Sequence, residues 1–249
     1  MKVKIVLALS LWLAFSAWGM FLPGSGEQAS EQSQPPAKSE PVLRPALLGL
    51  PFPPLVLPST QGDTIDLKNL KGKKVVLIVP RVYAGEGRWC TICNYQYAEA
   101  AAAASAFRTE HNAEILFLFP FDRDVVSEFL SLTPSQLEKI RGWKNPAEPE
   151  KLDEQGRQRL ERMRSLFPKD LSMKEGEVPT PFPLLLDPER RISKTLGVFA
   201  SEWGGSKGDQ GVPAVFILDG EGILRFKYIS QSTADRPDLA YLGWILKNI

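Results

Sequence analysis

The chain is short of the side chains that most often bind metals. Its 249 residues include one histidine, His111, and two cysteines, Cys90 and Cys93. A structural zinc ion takes four nitrogen or sulfur ligands, so a zinc site has too few donors and no metal is expected. A surplus of either charge is also missing: 30 Lys and Arg stand against 29 Asp and Glu, a net charge of +1. That balance points neither to nucleic acid nor to an acidic substrate. The Gly-Gly-Ser-Lys-Gly stretch at 204–208 reads as a glycine-rich loop but lacks the Gly-Lys-Ser/Thr step of a phosphate-binding loop. What is present is ordinary for a chain with a real core, 43% hydrophobic and 24% charged. The length allows one large domain or two small ones.

Lys2 and Lys4 precede a run without a charged side chain, residues 5–22. The run is longer than the roughly 7–15 residues of a signal-peptide core and approaches the roughly 20 that span a bilayer. Two readings stand: an uncleaved membrane anchor with its lysines inside, and a signal peptide cut near small residues such as Ala17 and Gly19. Length favours the anchor. No cysteine follows directly, which excludes a lipid-anchored lipoprotein. In both cases the remainder is exported to a periplasmic or other extracytoplasmic, oxidising compartment. Residues 23–47, rich in Gly, Ser, Gln, Glu and Pro, read as a flexible linker, and residues 48–249 as the folded domain.

Both cysteines fall in Arg-Trp-Cys-Thr-Ile-Cys at 88–93. An apolar run at 75–79 predicts a buried strand before them, and the alanine-rich residues 97–107 predict a helix over about 89–111. The unpaired N–H groups and the dipole at a helix N-terminus favour an anion. A thiolate is one: a free cysteine has a pKa of about 8.5, which falls to roughly 3.5–7.5 in such places. A structural disulfide is another reading, though closing so small a loop adds little stability. Two unrelated buried cysteines are a third.

The rest of the chain alternates strands and helices. Gln61, Gly62 and Asp63 supply a hairpin turn. Ala113–Phe119 reads as a second buried strand, completing a right-handed βαβ unit. A helix is predicted over 121–132. Thr133-Pro134-Ser135-Gln136 then has the pattern of a new helix start, opening a charged insertion at about 133–180. This insertion is either a solvated excursion of one or two surface helices or a docking face for a partner. A strand at 183–186 leads to a helix capped by Asp187-Pro188-Glu189. Strands at 214–218 and 223–228 flank an Asp-Gly turn, and a last helix follows Pro237. The result is an α/β fold with a central mixed β-sheet flanked by helices.

Five stretches carry a family resemblance: GDTIDLKNLKGKKVVLIV at 62–79, RWCTIC at 88–93, PFPLLLDPERRISKTLGV at 181–198, GVPAVFILDGEGILRFKY at 211–228 and ADRPDLAYL at 234–242. In order and spacing, residues 48–249 resemble the redoxin branch of the thioredoxin superfamily. That branch joins alkyl hydroperoxide reductases and thiol-specific antioxidant proteins to membrane-tethered thiol-disulfide oxidoreductases. The resemblance implies a thioredoxin-like fold and an oxidoreductase that needs no cofactor. It implies that Cys90 and Cys93 form a redox-active disulfide, with Cys90 the exposed nucleophile and Cys93 the resolving thiol. Trp89 matches the tryptophan before the first cysteine. Pro213, after Val212, matches a cis-proline that faces the pair and presents the backbone of Val212 to an extended substrate. Trp89, Val212 and Pro213 are therefore expected to bind substrate. The implied partner is a protein thiol, a protein disulfide or an electron donor.

The chain also departs from its relatives. Peroxidases of this group carry Pro-x-x-x-Thr/Ser-x-x-Cys, where this chain has Tyr83 and Gly87. Val212-Pro213 stands where many carry a peroxide-orienting arginine. Thr91-Ile92 lacks the proline common between the cysteines of dithiol reductases. Glu86 and Glu99 are the carboxylates considered as proton acceptors for Cys93, and both read as surface residues. The leading expectation is an exported thiol-disulfide oxidoreductase. The alternatives are a peroxiredoxin-like thiol peroxidase, with Cys90 peroxidatic and Cys93 resolving, and a binding module with a structural disulfide.

Overall fold

In the computed structural model, residues 45–85 and 87–249 are described. The expected anchor or signal peptide, most of the linker, and Glu86 lie outside them. Among the described residues no helix is long and apolar enough to cross a membrane. Ala46, which composition assigns to the linker, is buried, and its carbonyl accepts a hydrogen bond from Lys227 Nζ at 3.2 Å.

The chain enters through a small antiparallel hairpin, β1 (Val56–Pro58) against β2 (Thr64–Asp66). A 3-10 turn at Leu67–Leu70, capped by the Asp66 carboxylate, leads into β3 (Lys74–Val79). Then come α1 (Thr91–His111), β4 (Ala113–Phe119), α2 (Arg123–Lys144) and α3 (Glu154–Leu166). They are followed by β5 (Leu184–Leu186), α4 (Arg191–Thr195), the hairpin β6 (Phe199–Trp203) and β7 (Ser206–Gly211), the hairpin β8 (Ala214–Leu218) and β9 (Leu224–Ile229), and α5 (Leu239–Lys247). Five strands form the central sheet in the order β5-β4-β3-β8-β9. β3 pairs parallel with β4 and antiparallel with β8, so the sheet is mixed.

β3 sits at the centre because both its faces are apolar. Val76 and Ile78 join one core with α1, α2 and α5, while Val75, Leu77 and Val79 join another beneath β1 and α4. Alternate residues of a strand point to opposite faces, so a continuous apolar run fits only a strand covered on both sides. α1 ends at Asn112, which takes a left-handed conformation with φ 51° and lets the chain turn straight into β4.

Three local expectations change. α2 runs through Pro134 without a break, so Thr133-Pro134-Ser135-Gln136 is not a helix start. The helix begins earlier, where the Asp122 carboxylate accepts from Val125 N–H at 3.1 Å. Val126, Phe129, Leu137 and Ile140 are buried on both sides of the proline, and that packing outweighs the lost hydrogen bond. α4 is capped from a distance: the Asp187 carboxylate accepts from both Ser193 N–H and Ser193 Oγ–H at 2.7 Å, while Arg190 takes the cap position with φ 61°. The stretch at 204–208 is not a loop but the turn and the start of the second strand of the β6–β7 hairpin. Gly204 and Gly205, with φ 59° and 73°, supply the two positive angles a tight turn requires.

Candidate active site

The cysteines stand where β3 hands over to α1. Cys90 is the N-cap of α1, and Cys93 lies in its first turn. The two are joined as a disulfide with their Cα atoms 5.3 Å apart. Each sulfur also receives a backbone N–H: Cys93 N–H points to Cys90 Sγ and Arg81 N–H to Cys93 Sγ, both at 3.3 Å. Together with the helix dipole, these donors favour a thiolate when the bond is reduced.

The loop before Cys90 is held tightly. Cys90 N–H donates to Val82 O at 2.9 Å, and Tyr83 N–H donates to Arg81 O at 2.9 Å, closing a three-residue turn around Val82. Val82 has φ 68°, unusual for a β-branched residue. Such strain, roughly 1–3 kcal/mol, survives only where the surroundings enforce it, and Val82 is fully buried. On the helix side, Asn94 Nδ2 donates to Cys90 O at 3.0 Å. The Thr133 hydroxyl lies 2.8 Å from Asn94 Oδ1 and 3.0 Å from Phe129 O, and Thr91 Oγ1 is 2.6 Å from Gln136 Oε1. A polar bridge thus ties the dithiol to α2.

Cys90 is not exposed, as the resemblance implies, but 4% accessible, and Cys93 is 0% accessible. Cover comes from two sources. The Tyr83 ring packs on Trp89 with centroids 4.7 Å apart, and the insertion folds back over α1. Tyr95 and Ala98 of α1 pack with Leu137, Ile140 and Phe167 in a core of their own. The insertion therefore closes onto α1 and is not a solvated excursion. Between it and the dithiol loop lies a groove of about 340 Å³ with Cys90 and Trp89 in its lining. Trp143, Arg159, Met163 and Leu166 form the insertion wall, with Arg81 and Thr233 also in the lining.

The structure brings Trp89, Cys90 and Cys93 together. It does not bring Val212 or Pro213 into this lining. The Val212–Pro213 bond is not cis, since no peptide bond among the described residues is. The Val212 N–H is already committed to Val198 O at 2.8 Å, and Pro213 O accepts from Ser230 N–H at 2.8 Å. Glu99 is not a surface residue: its carboxylate is largely buried, pairs with Lys169 at 3.3 Å, and has its pKa pushed up by burial.

Arg81, Arg159, Asn94 and Thr133 escaped the sequence reading. Arg81 alone left a trace, a charged residue directly after an apolar strand and a proline. It is buried, with Nε donating to Gln210 Oε1 at 2.8 Å and Nη2 to Trp203 O at 3.1 Å. Burial lowers its pKa, and the nearby Arg88 charge lowers it further.

A family model described as "AhpC/TSA family" matches residues 48–227. No curated protein matches the chain. Among solved structures, a cysteine-to-serine mutant of peroxiredoxin 6 from Arenicola marina aligns at 16% identity and TM-score 0.50, covering 81% of this chain and 71% of that one. The reduced 2-Cys peroxiredoxin of Plasmodium vivax aligns at 17% identity and TM-score 0.49, covering 82% and 81%.

Proposed function

The chain belongs to the AhpC/TSA family and is a thiol-acting oxidoreductase, and from that premise we propose that it exchanges disulfides with protein partners through Cys90 and Cys93. The observation that carries this reading is the unequal placement of the pair: Cys90 lines the groove, and Cys93 lies behind it at zero accessibility. In the reducing direction, the Cys90 thiolate attacks a partner disulfide. One partner sulfur leaves as a thiolate and a mixed disulfide forms. Cys93, within reach on the same turn, displaces the second partner sulfur and restores the Cys90–Cys93 bond. Two electrons pass from the dithiol to the partner. Run backwards, the same steps oxidise a dithiol. Trp89 is assigned to the groove wall that the partner meets.

The test is exchange with a model disulfide by wild type, Cys90→Ser and Cys93→Ser. Cys90→Ser should abolish it, and Cys93→Ser should accumulate the mixed disulfide. Exchange that survives Cys90→Ser refutes the assignment.

A second reading, a thiol peroxidase with Cys90 peroxidatic, is favoured by the family itself. Tyr83 and Gly87, in place of the peroxidatic Pro and Thr/Ser, count against it. Reduced protein mixed with hydrogen peroxide separates the two. Thiol loss much faster than that of free cysteine, with a sulfenic acid trapped in Cys93→Ser, would establish the peroxidase.

The reading extends to location. The uncharged run at 5–22 after Lys2 and Lys4 supports export, and an oxidising compartment would keep the pair as a disulfide between turnovers. Fractionation of cells expressing the full chain, with N-terminal sequencing of the product, tests export and separates anchor from cleaved signal.

A further inference from the structure

The groove beside Cys90 has a bias that the net charge conceals. Its lining contains two arginines, Arg81 and Arg159, and no aspartate or glutamate among the described residues. Among the described residues, the Arg81 guanidinium bonds the neutral Gln210 amide and Trp203 carbonyl and lies over the Trp203 ring at 5.1 Å. Arg159 is exposed on α3. Arg236 is close enough to Arg81 for the two charges to repel. Its side chain is 9% accessible, with Nη1 donating to Ser230 Oγ and Asp235 O, while Nε and Nη2 are buried without a partner. The Asp235 carboxylate is 3.8 Å from it and already accepts from Gln231 N–H, Ser232 N–H and the Tyr228 hydroxyl. Arg81 thus stands on the dithiol side of the groove and Arg159 on the insertion wall, so positive charge lines both sides, while Arg236, outside the lining, has the Asp235 carboxylate as its counter-ion. Beside Arg159 the insertion wall is apolar, built from Trp143, Met163 and Leu166.

We propose that this groove selects disulfides carrying a carboxylate next to an aromatic or aliphatic group, as in an acidic peptide disulfide, with Arg81 and Arg159 holding the anion and the Trp143 wall receiving the apolar part. The proposal rests on the disulfide-exchange reading above and names the substrate class of that same site. In a low-dielectric groove, such charge complementarity acts on both encounter rate and choice of partner. The chemistry is the exchange already written: the bound disulfide takes two electrons from the dithiol and leaves as two thiolates.

The test uses the reduced full chain and three small disulfides. 5,5′-Dithiobis(2-nitrobenzoate) carries an aromatic carboxylate on each half, 2,2′-dithiodipyridine is aromatic and neutral, and cystamine carries an ammonium on each half. Each rate is divided by that of 2-mercaptoethanol with the same compound, which removes intrinsic reactivity. The expected order is dianion, then neutral, then dication, with steps of about tenfold, compressed by salt. Arg159→Gln, an exposed and structurally mild change, should narrow the dianion-to-neutral ratio by about tenfold. Arg81→Met should narrow it too. A wild-type ratio within about twofold of unity, or a ratio untouched by Arg159→Gln, overturns the proposal and leaves disulfide exchange standing. Rates no better than the reference thiol for all three compounds overturn the exchange reading itself.

Discussion

Replacing Arg236 with methionine should stabilise the protein, although it removes two hydrogen bonds. Burial lowers the Arg236 pKa to about 10, with the Asp235 charge raising it and the Arg81 charge lowering it further. An arginine ordinarily titrates at roughly 12.5 or above, and each tenfold in proton affinity is about 1.4 kcal/mol. Holding the charged side chain in the folded state therefore costs about 3 kcal/mol. The folded-state pKa lies below the unfolded one, so that cost is fully present at pH 7 and is relieved only as pH rises past about 10. Methionine abolishes the charge and fills much of the same space, while losing the Nη1 bonds to Ser230 Oγ and Asp235 O. At about 1 kcal/mol each, those bonds leave a net gain of about 1 kcal/mol, or roughly 2–4 °C in Tm for a domain of this size. Urea denaturation of the oxidised protein at pH 7 measures it. A loss exceeding about 1 kcal/mol would refute the reasoning, because it would mean that the two unpartnered nitrogens are satisfied in solution. If the groove uses this charge, the stabilised variant will discriminate less between anionic and neutral disulfides, the usual exchange of stability against function.

Four further outcomes follow from the same contacts. Thr133→Val keeps the shape but leaves Asn94 Oδ1 without its hydroxyl partner; a loss of about 1–3 kcal/mol in chemical denaturation is expected. Gly211→Ala places a Cβ 2.2 Å from Pro80 O; a cost of about 1–3 kcal/mol is expected, together with a shifted reduction potential, since Arg81 N–H meets Cys93 Sγ. Asp187→Ala strips the buried Ser193 N–H and hydroxyl of their acceptor and should lower stability by about 1–3 kcal/mol. Burial pushes the Asp235 carboxyl up, but the Gln231 and Ser232 N–H groups and the Tyr228 hydroxyl outweigh it, so its pKa ends below the usual value. Its stabilisation is present above the ordinary Asp pKa of about 3.9 and fades as pH falls below that; Asp235→Asn should flatten the acid limb of a Tm-against-pH curve.

What the sequence made legible follows from how local each signal is. β3 and β4 announce themselves because a strand covered on both faces reads as a continuous apolar run, and residues 75–79 and 115–119 do. The alanine-rich helix and the cysteine pair at its start were readable for the same reason. Pro134 misled because a proline signals a helix end only where nothing else holds the helix, and here Phe129 and Leu137 lie buried on either side of it. The β6–β7 hairpin hid behind a glycine-rich stretch whose second strand, SKGDQG, has no apolar alternation. The two arginines of the groove could not be found at all: Arg81 and Arg159 are far apart in sequence and become one feature only through the packing of α3.

The insertion shows why its composition alone was ambiguous. Its dense charge is a property of an outer face, which must stay in water. Its inner face is a short list of apolar residues, unevenly spaced because they meet two different surfaces. Leu137 and Ile140 meet α1, Trp143 lines the groove, and Phe167, Met163 and Leu166 touch both. The first set fixes the second, since the core with Tyr95 and the Thr133–Asn94 bond hold α2 against the helix that carries the cysteines. Among the described residues, the groove at Cys90 therefore has one wall anchored to the same helix as the sulfur. Under the proposed disulfide exchange, that arrangement would let the protein choose its disulfide by what flanks the bond, where an open helix terminus would choose only by the reactivity of the sulfur.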